Sequence, residues 1–178
     1  MKGVVFTEFL EMVESKFSTE IADQMITGAQ VANGGAYTAV GTYPADELGK
    51  LVVALSKETG ATVPELMNAY GRHLFGRFHE GYPQLFAGSP DSFSFLRTID
   101  QVVHVEVRKL YPDAELPHFE TIEAGPGRLT MIYRSPRCLG DFAEGLMEGC
   151  FAHFGERIRV TRSDAAGGRE VRFDLERL

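Results

Sequence analysis

The sequence predicts an α+β fold: a mostly helical N-terminal two thirds, then a C-terminal four-stranded antiparallel sheet with one intervening helix. Three observations predict it. Apolar residues recur at helical spacing through the first part of the chain, as in Val4, Val5, Phe9, Leu10, Met12, Val13 and Phe17. After Pro117 the pattern changes to short strand-like runs, HFETIEA, RLTMIYRS, RIRVTRS and REVRFDLERL, paired as two hairpins with a glycine-bearing turn inside each pair. One helix-patterned stretch, CLGDFAEGLMEGCFAHF, separates the two pairs.

Each element has its own signal. The first helix covers residues 3 to 17. Ser18 and Thr19 offer caps for a second helix through Ala32, with Glu20 in its first turn, and Asn33-Gly34-Gly35 then marks a turn. AYTAVGTYP reads as irregular or extended. Asp46 and Glu47 open a third helix that stops near Gly60. Thr62 caps a fourth, with Pro64 and Glu65 in its first turn, running to Phe86 with bends at Gly71 and Gly76. Asp91 or Ser92 caps a long helix, FSFLRTIDQVVHVEVRKLY, that closes before Pro112. Gly125-Pro126-Gly127 and Ala165-Ala166-Gly167-Gly168 turn the two hairpins.

A folded chain of 178 residues buries roughly 70% of its unfolded surface, enough to enclose a ligand in a single domain. The net charge of −7 argues against nucleic acid and anionic membrane as main partners. Glu8, Glu11 and Glu14 break any signal-peptide core, and no run approaches the ~20 apolar residues of a membrane span, so a cytoplasmic location is expected. Cys138 and Cys150, both placed in the same helix and about 18 Å apart at 1.5 Å per residue, are expected not to pair. No zinc spacing, glycine-rich nucleotide loop or base–nucleophile constellation is visible, so no enzymatic activity is expected.

Two features carry chemistry. The first is YRSPR. Strand alternation puts Tyr133, Ser135 and Arg137 on one side and Arg134 on the other, and Pro136 takes the chain out of the sheet. A phenol, a hydroxyl and a guanidinium together suit an anion with several oxygens. The second is His104, flanked by Val102, Val103, Val105 and Val107. A histidine there is either a satisfied core residue or, within its apolar surround, an axial ligand of haem iron. His73, His79, His118 and His153 read as structural or solvated, and His153 lies near a helix C-terminus that favours its cationic form.

Tyr133-x-Ser135-x-Arg137, about thirty residues after His104, resembles the motif of the haem nitric oxide/oxygen binding (H-NOX, or HNOB) family, related to the haem domain of soluble guanylate cyclase. MKGVVF, IDQVVHVEVRKLYPDAELP and DFAEGLMEG extend the resemblance over essentially the whole chain. It implies one haem domain over residues 1–178, with a helical subdomain over about 1–62 and haem b between the two parts of the fold. It implies His104 as the proximal ligand of ferrous iron, Tyr133, Ser135 and Arg137 as the anchor of the propionates, and Pro117 as the proline that presses on the haem. Val5, Phe9, Leu74, Phe78, Phe142 and Leu146 match the distal positions. Phe142 stands where relatives that hold O2 carry a tyrosine donor, and Tyr70 and His73 are not predicted to aim at the gas. The implied function is a bacterial-type sensor that binds NO and CO, discriminates against O2, and signals by release of His104. The expected partner is a separate histidine kinase, or a cyclic-di-GMP cyclase or phosphodiesterase. The competing reading is a haem-independent module for a carboxylate or phosphate ligand. The zinc-bound cysteine cluster of some relatives has no counterpart in the C-terminal SDAAGGREVRFDLERL.

Overall fold

The computed structural model describes residues 1–178 and divides into two units, Met1–Tyr70 and Gly71–Leu178. The first holds α1 (Gly3–Lys16), α2 (Thr19–Ala29), α3 (Ala45–Thr59) and the start of α4 (Val63–Gly81). The second holds the rest of α4, then α5 (Ser92–Thr98), a π-turn (Ile99–Val103), α6 (His104–Leu110), β1 (His118–Glu123), β2 (Arg128–Arg134), α7 (Gly140–His153), β3 (Ile158–Ala165) and β4 (Glu170–Arg177). The fold is α+β, as the sequence predicts. No helix is long and apolar enough to cross a membrane.

In the first unit the caps expected from sequence form. Ser18 Oγ accepts from the Ile21 N–H at 3.2 Å. Thr62 and Glu65 make a reciprocal box, with the Thr62 N–H donating to Glu65 Oε2 at 2.8 Å and the Glu65 N–H to Thr62 Oγ1 at 3.4 Å. The apolar stripe of α1 buries Phe6, Phe9, Met12 and Val13, and α3 buries Leu48, Leu51, Val52 and Leu55. Phe6 stacks on Tyr37 at 4.5 Å between ring centroids. Tyr37 donates to the buried Glu47 carboxylate at 2.7 Å, and burial together with that carboxylate pushes the phenol pKa up.

The stretch 36–44 is a loop that seals the start of α1: Gly3 N–H donates to Gly41 O at 2.8 Å and Val4 N–H to Ala39 O at 3.0 Å. Gly3 is required there by close approach, since a Cβ would sit 1.8 Å from Thr38 O. Gly3→Ala must push backbone from backbone. A loss of about 1–3 kcal/mol, the usual cost of overpacking, is expected in urea unfolding. Unchanged stability would mean that the loop is looser than this contact implies.

In the second unit the sheet order is β1-β2-β4-β3, with every neighbouring pair antiparallel. Leu129 faces Leu175, Met131 faces Phe173 and Tyr133 faces Val171 across β2 and β4. These six are buried with Phe93, Phe95 and Leu96 of α5 and Ala143, Met147, Cys150 and Phe151 of α7. The other face is a ladder of ion pairs. Arg134 lies between Glu120 (2.7 Å) and Glu170 (2.6 Å), and Glu176 between Arg128 (2.6 Å) and Arg159 (2.8 Å). This is the alternation that sets Arg134 apart from its neighbours in YRSPR.

Several expectations are corrected. The long helix over residues 93–111 is three segments, with a π-turn in the middle. α2 ends at Ala29 rather than Ala32, with Gln30 left-handed, and α4 is a single α-helix through Gly71 and Gly76 that ends at Gly81. The two cysteines do not share a helix: Cys138 lies before α7 with φ +53° and is exposed, while Cys150 is buried within it, and both are free. Desolvation and the neighbouring His79, at 4.0 Å between ring centroids, lower the pKa of His153 and so disfavour its cationic form at the end of α7.

Candidate functional site

The site grows from the broken helix. Asp91 caps α5 by accepting the Ser94 N–H at 2.8 Å. The turn then widens, and the His104 N–H reaches back to Ile99 O, five residues earlier. Single π-turns of this kind are common at functional sites. His104 follows immediately and is 8% exposed.

Its Nδ1 lies 3.1 Å from Asp100 Oδ1, four residues earlier in the π-turn. Asp100 Oδ1 also accepts the Phe119 N–H at 3.0 Å, and Asp100 Oδ2 is hydrogen bonded to His118 Nδ1. Burial lowers the pKa of His104, opposed in part by the Asp100 charge, and so favours a neutral imidazole. With Nδ1–H donated to the carboxylate, Nε2 carries the lone pair. Such an arrangement fixes the tautomer of a metal-binding histidine.

The second cluster lies at the end of β2. Tyr133 is 2% exposed, pairs with Phe119 across β1, and its hydroxyl oxygen accepts the Leu139 N–H at 3.0 Å, just before α7. The phenolic proton is committed to no protein acceptor. Ser135 N–H donates to Arg169 O at 2.9 Å, which carries the strand direction one residue past β2, and Ser135 Oγ accepts the Arg137 N–H at 3.2 Å. The Arg137 guanidinium is held from one side by residue 115, donating to Glu115 O at 2.7 Å and Glu115 Oε2 at 2.6 Å. A guanidinium has five N–H donors, so three are left for another anion.

The other expected residues fall on helices. Leu74 is buried and Phe78 half-buried on α4, and Phe142 and Leu146 are half-buried one turn apart on α7. α4 and α7 touch backbone to backbone: a Cβ on Gly71 would lie 2.3 Å from Phe142 O and 2.7 Å from Leu146 N. In the first unit Val5 is half-buried and Phe9 fully buried. Tyr70 donates to Val5 O at 2.5 Å and meets the Phe9 ring edge-on at 5.1 Å, so its proton is already used. Pro117 is half-buried directly before β1. No three His, Cys, Asp or Glu side chains gather to bind a bare metal ion.

The sequence profile of the haem-NO-binding family matches residues 2–162. The chain belongs to this family. H-NOX domains are haem-based gas-sensor modules. Among solved structures, the Fe(II) unliganded H-NOX protein of K. algicida is 40% identical, with a TM-score of 0.94 over 100% of this chain and 97% of that one. The H-NOX of Shewanella woodyi, solved in the Fe(II)CO state with IWP-051 bound, is 38% identical with a TM-score of 0.85 over 100% and 95% of the two chains. Soluble guanylate cyclase 89Db of Drosophila melanogaster is 27% identical over 135 residues, 71% of this chain but 20% of the cyclase. The chain thus spans a fifth of that relative.

The residues present fit a haem. One imidazole, His104, is buried beside the Phe119 ring (6.0 Å between centroids), with Nδ1 tied to Asp100 and Nε2 left for a metal. Tyr133, Ser135 and Arg137 keep donors unspent at the end of one strand. Sequence reasoning missed Asp100, His118 and Glu115. Only Asp100 left a signal, an acid four residues before the histidine.

Proposed function

We propose that this chain binds ferrous haem b through His104 and senses NO and CO while discriminating against O2. The supporting observation is His104 itself, buried at the end of a π-turn with Nδ1 tied to Asp100 and Nε2 left for iron. Haem, held by His104, would supply the iron that binds a diatomic gas. Tyr133, Ser135 and Arg137 would donate to the propionates, and Pro117 would pack against the macrocycle, whose distortion is one of the protein's levers on haem chemistry. The side chains expected near the gas, Val5, Phe9, Leu74, Phe78, Phe142 and Leu146, contain no hydrogen-bond donor. Bound O2 draws electron density and depends on a donor far more than NO does, so this set favours NO and CO.

His104 would hold the iron, and its release would free the π-turn and α6 that carry it, which would start the signal. This is a two-state element biased by a ligand. The reader of that change is a separate signalling protein, such as a histidine kinase or a cyclic-di-GMP cyclase or phosphodiesterase, in a cytoplasmic bacterial setting. The domain works as a sensor without catalysis of its own.

An absorption spectrum of the reduced protein tests the reading. The expected spectrum is that of a five-coordinate ferrous haem, unchanged by air and shifted by NO. A stable spectral change in air would overturn the O2 discrimination. Failure to take up haem on reconstitution would leave Tyr133, Ser135 and Arg137 as an anion site for another ligand.

A further inference from the structure

We propose that His118, an exposed residue outside the iron's coordination sphere, is a positioning residue that sets the strength of the iron–His104 bond through Asp100. The inference rests on the haem reading above.

One carboxylate joins the two histidines. Asp100 Oδ1 accepts from His104 Nδ1 at 3.1 Å and from the Phe119 N–H at 3.0 Å, and Asp100 Oδ2 accepts from His118 Nδ1. The His104 side chain is 10% exposed and that of His118 62% exposed, so a hydrogen-bonded chain runs from the buried imidazole to solvent through a single carboxylate. The strand fixes the outer end. His118 and Phe119 open β1, in register with Arg134 and Tyr133 of β2. The π-turn and the hydrogen bond to the Phe119 N–H hold the inner end.

An ionised carboxylate only accepts hydrogen bonds, so its donors compete for its electron density. A carboxylate that accepts strongly from a ligating histidine raises the basicity of that ligand and tightens its bond to the metal. Donation from His118 into Oδ2 weakens what Oδ1 offers His104. His118 therefore keeps the ligand nearer to a plain imidazole and its bond to iron easier to break, which suits a sensor that signals by releasing that bond. Removing His118 leaves Asp100 in place, because the Phe119 N–H and His104 still hold Oδ1.

The test is resonance Raman spectroscopy of the reduced, haem-loaded chain, with the reduction potential as a second readout. His118→Phe removes the donor, His118→Asn restores an N–H at similar reach, and Asp100→Asn weakens the acceptor. The iron–histidine stretching band should move up in His118→Phe, down in Asp100→Asn, and stay near the parent value in His118→Asn. The potential should fall in the first and rise in the second. A role limited to structural support would move His118→Phe and Asp100→Asn in the same direction, and that result overturns the inference, as does an unmoved band in His118→Phe. A parent chain with no iron–histidine band overturns the haem reading itself and the inference with it.

Discussion

His104→Ala is expected to abolish tight haem retention while the fold survives. Alanine is the best helix former, so α6 loses no propensity. The core of the second unit, centred on Met131, Phe173 and Met147, is unaltered by the change. What is lost is the buried histidine whose tautomer is fixed by Asp100. Removing an outer hydrogen-bond partner of a metal-bound histidine costs about 10–100-fold in affinity, and removing the ligand itself should cost more. The measurement is the haem-to-protein ratio after reconstitution and desalting, with and without added imidazole. The expected result is a ratio near zero that imidazole partly restores, because the small ligand fits the space left by the ring. Full retention without imidazole would assign the iron to another residue. The same variant separates the haem reading from its rival, since a haem-independent anion module would bind its ligand as before.

Much of this site could be read from the chain. The separation of Tyr133 and Ser135 from Arg134 at the end of β2 was legible because strand alternation leaves few choices there. The caps at Ser18, Asp91 and Thr62 with Glu65 were legible because capping needs specific side chains at fixed offsets. The π-turn was not. A π-turn and an α-turn differ by one residue in the hydrogen-bond ladder, and the run of valines around His104 suits either. The left-handed Cys138 was also hidden, because that conformation usually announces itself as glycine. Here the corner is held by Tyr133, whose hydroxyl accepts the Leu139 N–H, a contact between residues of different elements that no local pattern encodes. Glu115 and His118 failed for a related reason. Their roles depend on the loop before β1 and on the β1–β2 register, both of which are tertiary facts.

The expected gas preference hangs on a single position. Phe142→Tyr is predicted to give a protein that retains O2 in air, where the parent is expected not to. The position suits the test because its backbone is fixed: Phe142 O lies where a Cβ on Gly71 would be 2.3 Å away, so α4 holds the first turn of α7 closely and a hydroxyl cannot gain room by shifting the helix. Leu146 lies one turn further on and offers the new hydroxyl no competing acceptor in its side chain. A hydrogen bond to a group with substantial charge contributes about 1.5–3 kcal/mol, so O2 should dissociate roughly 10–100-fold more slowly. NO affinity should change little, since NO gains less from a donor. At this half-buried position the hydroxyl gives up part of its hydration without a gas to pair with, and a stability loss of at most about 1–3 kcal/mol is expected in the gas-free protein. Stopped-flow O2 release and unfolding of the gas-free form measure the two halves. Slower O2 release together with lower gas-free stability would mean that the phenol points at the gas. Lower stability with no gain in O2 retention would show that Phe142 faces elsewhere, and O2 discrimination would then have to rest on another residue.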